Sequence, residues 1–163
     1  RQGSGLKVLS PGEADCIAIA GMGASTIISI LEDDMEVAQS AKLLVLQPMA
    51  GAASLRAWLC SHGWQLAAEE LVDDAPHFYE IIAAKRGSAP VYSAAECAVG
   101  PLLLAQKHPL LAKQLARQLA TCSQLLENMG RSERARASEK YKEIEALKAE
   151  LEVLQNGKRS DSK

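Results

Sequence analysis

Ala18-Ile19-Ala20-Gly21-Met22-Gly23-Ala24-Ser25-Thr26-Ile27-Ile28-Ser29-Ile30-Leu31 is an apolar run that stops on two glycines and restarts with helical spacing. It reads as a strand turning sharply into a helix. The strand, Cys16 to Ala20, is short and uniformly apolar, which suits the interior of a parallel sheet. The helix is expected over about 24–31, with Ser25 or Thr26 near its start and a stop at the acidic Glu32-Asp33-Asp34. In open α/β sheets ligands bind outside the carboxyl ends of the strands, where a Gly-x-Gly turn exposes bare backbone and the next helix offers unpaired N–H groups. A lone Gly-x-Gly is equally consistent with a tight turn and nothing more.

Upstream, Arg1-Gln2-Gly3-Ser4-Gly5-Leu6 reads as a loop and Pro11-Gly12-Glu13 as a turn. Downstream, Lys42-Leu43-Leu44-Val45-Leu46-Gln47 is a second buried strand, and Pro48 keeps Gln47 extended at its carboxyl edge. Leu55, Trp58 and Leu59 place a helix over 52–62, with Ser54 as a cap and Gly63 closing it in a left-handed conformation. Trp64 to Val72 is a third strand, Asp73-Asp74-Ala75-Pro76 a turn, and Phe78 to Lys85 a fourth strand antiparallel to the third. Two parallel strands with helical crossovers, then an antiparallel hairpin, define an α/β fold with a mixed sheet.

Six blocks in order carry a resemblance. Arg1-x-Gly3-x-Gly5-Leu6, Ile19-Ala20-Gly21-Met22-Gly23, Leu44-x-Leu46-Gln47-Pro48-Met49, Leu55-Arg56-x-Trp58-Leu59, Glu70-Leu71-Val72 and Tyr79-Glu80-Ile81-Ile82 are similar to successive blocks of the TrmK family. That family comprises S-adenosyl-L-methionine-dependent tRNA methyltransferases acting on N1 of adenine 22. The resemblance covers residues 1 to about 110 and thereafter only a helical tail. It implies the carboxyl half of a class I (Rossmann-like) methyltransferase sheet, S-adenosyl-L-methionine as cofactor and tRNA as partner. It also implies cofactor contacts from Gly3, Ser4, Gly5, Leu6 and Ala20, and a reaction site at Gly21, Met22, Gly23, Gln47 and Pro48. Ser4 stands where the family has an acidic residue near the cofactor's adenine, and Ala24 where it has a further glycine. The family's Asp-Ile-Gly turn and Asp-His-Ala-Tyr run do not occur in the sequence. On this reading the chain is a truncated or degenerate copy, inactive alone and without measurable cofactor affinity. The alternatives are a non-catalytic RNA-binding or protein-interaction module derived from a methyltransferase, and a class I enzyme with a small or protein substrate.

Methylating adenine N1 requires a held base and an aligned methyl group, so positioning supplies much of the rate. Backbone at Gly21 and Gly23 and the Gln47 amide, at the ends of adjacent strands, could line one wall of such a pocket. Gln47 either bonds a base edge or merely caps a loop. Tyr79 either stacks on a base or belongs to the core.

The 163 residues are 48% hydrophobic, enough for a packed core. Residues 1–106 hold 6 Lys and Arg against 12 Asp and Glu, whereas residues 107–163 hold 12 against 8. A basic tail on an acidic body suits an anionic partner, with nucleic acid first. Cys16, Cys60, Cys97 and Cys122 are far apart, as are His62, His77 and His108, which argues for reduced thiols and against a metal site. No apolar stretch approaches the roughly 20 residues of a membrane span. A cytoplasmic location is the default, with an organellar one left open.

Gly100-Pro101 starts the helical tail, and Leu111, Leu115, Leu119, Cys122, Leu126 and Met129 form its apolar stripe up to Gly130. Ala137, Ile144, Leu147, Leu151 and Leu154 continue at heptad-like steps. The expected result is an antiparallel coiled-coil hairpin over 93–156, following a sheet domain over 1–92 and preceding a disordered tail over 157–163. Arg131, Arg134, Arg136, Lys140 and Lys142 fall near the hairpin tip, where they either bind RNA or form a solvated face. The Cys16–Ala20 strand is expected to have one unpaired edge, which favours self-association.

Overall fold

The computed structural model describes residues 1–160, with side chains described through Gly157. Strands β1 (Cys16–Met22), β2 (Leu43–Pro48), β3 (Trp64–Asp74) and β4 (His77–Arg86) form one sheet in the order β1-β2-β4-β3. β1 and β2 are parallel, and β4 runs antiparallel to both β2 and β3. The second strand of the hairpin thus inserts beside β2. The crossover between β1 and β2 runs through α1 (Ala24–Asp33) and α2 (Met35–Ser40), and α3 (Ala52–Ser61) links β2 to β3. Ile17 and Ile19 of β1 and Leu44 and Leu46 of β2 point to one face, where Ile27, Leu31, Leu55 and Leu59 of α1 and α3 meet them. Each such burial contributes roughly 1.5–3 kcal/mol.

β1 pairs only with β2 and ends the sheet among the described residues, the unpaired edge expected for it, and Cys16, Ala18 and Ala20 are exposed. Its outward positions are small rather than polar, and uniform apolarity does not by itself distinguish one buried face from two. Some expectations need correction. Ser25 and Thr26 fall in the first turn of α1 as expected, but the expected Ser54 cap does not form: Gly23 and Gly51 take the N-cap positions, and Ser54 Oγ donates to the Gly51 carbonyl. α2 follows α1 directly, and its six residues are too few to show a period.

The helical portion holds α4 (Ala94–Val99), α5 (Pro101–Ala105), α6 (Leu111–Gly130), α7 (Glu133–Arg136) and α8 (Glu139–Ser160). α4 starts on a complete capping box between Ser93 and Glu96, a signature the sequence reading passed over. Leu111, Leu115 and Cys122 of α6 and Ile144 and Leu151 of α8 pack with Ala95, Ala98 and Val99 of α4 and Leu71 of β3. The reversal between the two long helices is occupied by α7, and Ala137, expected in the apolar stripe, is its exposed C-cap. Of the tail expected over 157–163, α8 carries helical backbone through Ser160, and 161–163 lie outside the described residues.

Arg56 of α3 is fully buried. Its Nε donates to Glu69 Oε1 at 2.5 Å, one terminal nitrogen to Glu80 Oε2 at 2.9 Å, and the other to the Cys97 carbonyl at 2.9 Å. The second oxygen of Glu69 accepts the Leu102 N–H at 2.8 Å. One guanidinium therefore joins α3, β3, β4 and α4, and through Glu69 also α5. Removing one member of such a group strands a buried charge, which costs about 3–5 kcal/mol. Arg56→Met should lower the unfolding free energy in urea by about that amount, and the double variant Arg56→Met/Glu69→Leu by less. A loss below ~1 kcal/mol in the single variant contradicts this account.

Candidate active site

The register of β1 on β2 slips between Ala20, opposite Gln47, and Met22, opposite Pro48. Gly21 fills the slip with φ 77°, a conformation that costs a residue with a side chain about 1–2 kcal/mol. Its N–H is donated to Gln47 Oε1 at 3.0 Å. Just beyond, Met49 N–H donates to the Met22 carbonyl at 2.8 Å and Ala24 N–H to the Ala50 carbonyl at 2.9 Å. These bonds tie the carboxyl ends of two parallel strands and the starts of α1 and α3 into one surface. Gly21, Met22, Gly23, Gln47 and Pro48 thus lie together at the ends of adjacent strands, as the sequence predicted, with Ala20 of the expected cofactor group beside them. A Cβ on Gly21 would meet nothing within 4 Å, and one on Gly23 only Ser25 Oγ at 4.0 Å, so both glycines face open space.

Of the two roles left open for Gln47, the structure shows the cap, made through Oε1. Its Nε2 reaches only the Met49 sulfur at 3.4 Å, a weak acceptor, and stays available as a donor. That amide lines a cleft of about 190 Å³ with Met49, Pro76, His77, Phe78, Tyr79 and Arg117. Tyr79 is half-buried there. His77, Phe78 and Arg117 were not anticipated; the aromatic run His77-Phe78-Tyr79 directly after Pro76 is the signal that could have found them. Beside the cleft, Met22 is 41% and Met49 53% exposed.

The loop Gly3-Ser4-Gly5-Leu6 lies elsewhere on α1. Leu6 is buried in the sheet core, a Cβ on Gly5 would touch Ile30 at 3.4 Å, and Gly3 backs onto Val8. Ile30 is two turns along α1 from Gly23.

Arg131, Arg134, Arg136, Lys140 and Lys142 are all exposed around the α6–α7–α8 reversal. Arg131 sits 3.6 Å from Glu127 and Lys142 3.6 Å from Glu139, while Arg134, Arg136 and Lys140 form no ion pair among the described residues. The thiols of Cys60, Cys97 and Cys122 are pushed up by burial, which keeps them protonated at neutral pH. Cys16 is exposed. The Glu70 carboxyl is held below its usual range by a hydrogen bond from His108 at 2.5 Å, which pins the α5–α6 connection to β3. Among the described residues no three His, Cys, Asp or Glu side chains converge as a metal site.

A mixed sheet with an antiparallel inserted strand, and an open glycine turn at the ends of its parallel strands, define a Rossmann-like methyltransferase fold. The structure superposes on the Bacillus subtilis M1A22 tRNA methyltransferase TrmK with a TM-score of 0.81 at 29% identity, covering 95% of this chain and 69% of that one. A Streptococcus agalactiae protein of the NADB-Rossmann superfamily matches at 0.80 and 26% identity, over 95% of this chain and 66% of that one. A Streptococcus pneumoniae structure in complex with S-adenosyl-L-methionine matches at 0.77 and 26%, over 95% and 67%. The family model of TrmK, tRNA (adenine(22)-N(1))-methyltransferase, matches residues 1–156, and the chain belongs to that family. It is 30% identical over 159 residues to the tRNA (adenine(22)-N(1))-methyltransferase of Bacillus subtilis strain 168, covering 94% of this chain and 66% of that relative's length.

The two glycines of the turn make different demands. Gly21→Ala should lower stability by about 1–2 kcal/mol through its left-handed backbone. Gly23→Ala, at φ −68°, carries no left-handed strain and should cost less, about 0.5 kcal/mol, for the poorer N-cap alone. Equal melting temperatures for the two variants would contradict the assignment.

Proposed function

We propose that this chain provides the reaction surface and the RNA-holding helices of an S-adenosyl-L-methionine-dependent tRNA adenine-N1 methyltransferase. The observation that carries this reading is the Gly21–Gln47 pairing, which leaves bare backbone and a free amide donor at the carboxyl ends of the parallel strands, next to an aromatic cleft. The open space over Gly21 and Gly23 fits a cofactor approaching backbone closely. Bound there, S-adenosyl-L-methionine supplies an electrophilic methyl group. The protein's own contribution is placement: the Gln47 Nε2 donor orients a base edge, and Tyr79 and the neighbouring rings hold the base plane. No side chain on this surface needs to act as a strong base, because the attacking ring nitrogen carries its own lone pair.

Ser4, without a carboxylate, and the missing Asp-Ile-Gly and Asp-His-Ala-Tyr blocks favour weak cofactor retention by residues 1–163 alone. The Ser4 departure also supports the second reading, a non-catalytic RNA-binding module. Calorimetry of residues 1–163 with the cofactor should show no micromolar binding. The same residues fused behind the opening region of the Bacillus subtilis relative should methylate a tRNA transcript at adenine 22, read as a primer-extension arrest. A folded fusion that binds cofactor but leaves no arrest would favour the second reading.

The α6–α8 pair, a coiled-coil-like hairpin in this proposal, holds tRNA by phosphate contacts from Arg131, Arg134, Arg136, Lys140 and Lys142. Among the described residues three of these cations form no ion pair, which favours RNA contact over a solvated face. Changing Arg131, Arg134 and Arg136 together to Ala should weaken tRNA binding and make its salt dependence shallower by up to about three charges' worth. An unchanged affinity and slope in filter binding would exclude the tip.

A further inference from the structure

We propose that Arg117 of α6 grips a backbone phosphate of the RNA nucleotide whose base enters the cleft at the end of β2, making the helical portion a direct contributor to substrate placement. This assignment rests on the tRNA reading above and adds a positioning residue to it. The guanidinium lies over Phe78, with its central carbon 4.4 Å from the ring centroid. One terminal nitrogen donates to Gln114 Oε1 at 3.3 Å, and Gln114 is itself fully buried. A buried amide and an aromatic ring therefore hold the fork in place before any ligand arrives, which reduces the ordering cost of binding. Lys113 offers the contrast: it also lies near Phe78, 5.6 Å from the centroid, but its ammonium is tied to Asp73 at 2.5 Å. Arg117 forms no ion pair among the described residues. Arg117 itself lines the cleft.

The other cleft residues indicate what accompanies the anion. His77 and Tyr79 present rings 5.7 Å apart at 33°, Met49 adds an exposed thioether, and Gln47 Nε2 offers a donor. Ring faces, a polarizable sulfur and one amide suit an unstacked nucleobase, and a planar cation at the rim suits the phosphate attached to it. A carboxylate ligand would satisfy Arg117 but leave the rings without a partner.

The test uses residues 1–163 and a tRNA transcript carrying 2-aminopurine at position 22. Arg117→Met keeps an unbranched stem over Phe78 and removes the guanidinium with its charge and its hydrogen bond to Gln114. It should weaken tRNA binding several-fold, reduce the logarithmic salt slope by about one phosphate's worth, roughly 0.7–0.9, and diminish the binding-induced change in 2-aminopurine fluorescence. Arg117→Lys should restore the slope, which a purely structural role would not do. The tip variants at Arg131, Arg134 and Arg136 should lower the slope without altering the fluorescence response of whatever RNA remains bound. If Arg117→Met melts early, Arg117→Gln is read in its place. Parental affinity, slope and fluorescence in the variant overturn the assignment while leaving the tRNA reading intact. Failure of the unsubstituted chain to bind tRNA overturns both.

Discussion

A buried guanidinium is tolerable only when its charge and its N–H groups are matched, and Arg56 is matched by groups from elements that lie far apart in sequence. Glu69 and Glu80 come from the two strands of the hairpin, and the third acceptor is a backbone carbonyl of α4. None of these partners is local to α3. The desolvation cost of the ion is therefore offset only once sheet and helices have assembled, and a partly assembled chain gains nothing from it. Glu69 extends the constraint, since its second oxygen holds the first turn of α5 through Leu102. The helical portion is thus rooted in the sheet by hydrogen bonds to charged groups as well as by apolar contact around Leu71.

The candidate site follows a different logic. Its geometry comes from backbone: one left-handed glycine, one slipped register and two strand-end hydrogen bonds. Side-chain chemistry is sparse, a single amide with one free donor beside rings and thioethers. Such a surface is suited to holding reactants in place rather than to moving protons. The cations sit apart from it, at the far turn of the helical pair and, singly, at the rim of the cleft.

The strand and helix order could be read directly because Cys16–Ala20, Lys42–Gln47 and the hairpin strands are apolar runs bounded by glycine, proline or acidic turns. The Gly21, Gly23 and Gln47 grouping was legible for the same reason: all three sit at strand ends whose adjacency follows from a parallel crossover. What could not be read depended on tertiary partners. Arg56 looks in sequence like an ordinary exposed helix residue, and only the folded chain brings Glu69, Glu80 and the Cys97 carbonyl around it. Arg117 lies on the polar side of an amphipathic helix, where periodicity predicts solvent, and its place over Phe78 depends on how α6 docks on the hairpin. Ser93 to Glu96 was available as a capping signature and escaped notice because the helix that it starts is only six residues long.

Arg117 and the Arg131 turn belong to one uninterrupted helix, α6. Fourteen residues at 1.5 Å each separate them by about 21 Å along its axis. A helix rooted in the sheet at its amino-terminal end cannot shorten or swing that interval without breaking its own hydrogen bonds. The distance can act as a ruler: in the proposed tRNA reading, an RNA that touches both positions would be selected for the spacing of its phosphates, irrespective of the bases between them.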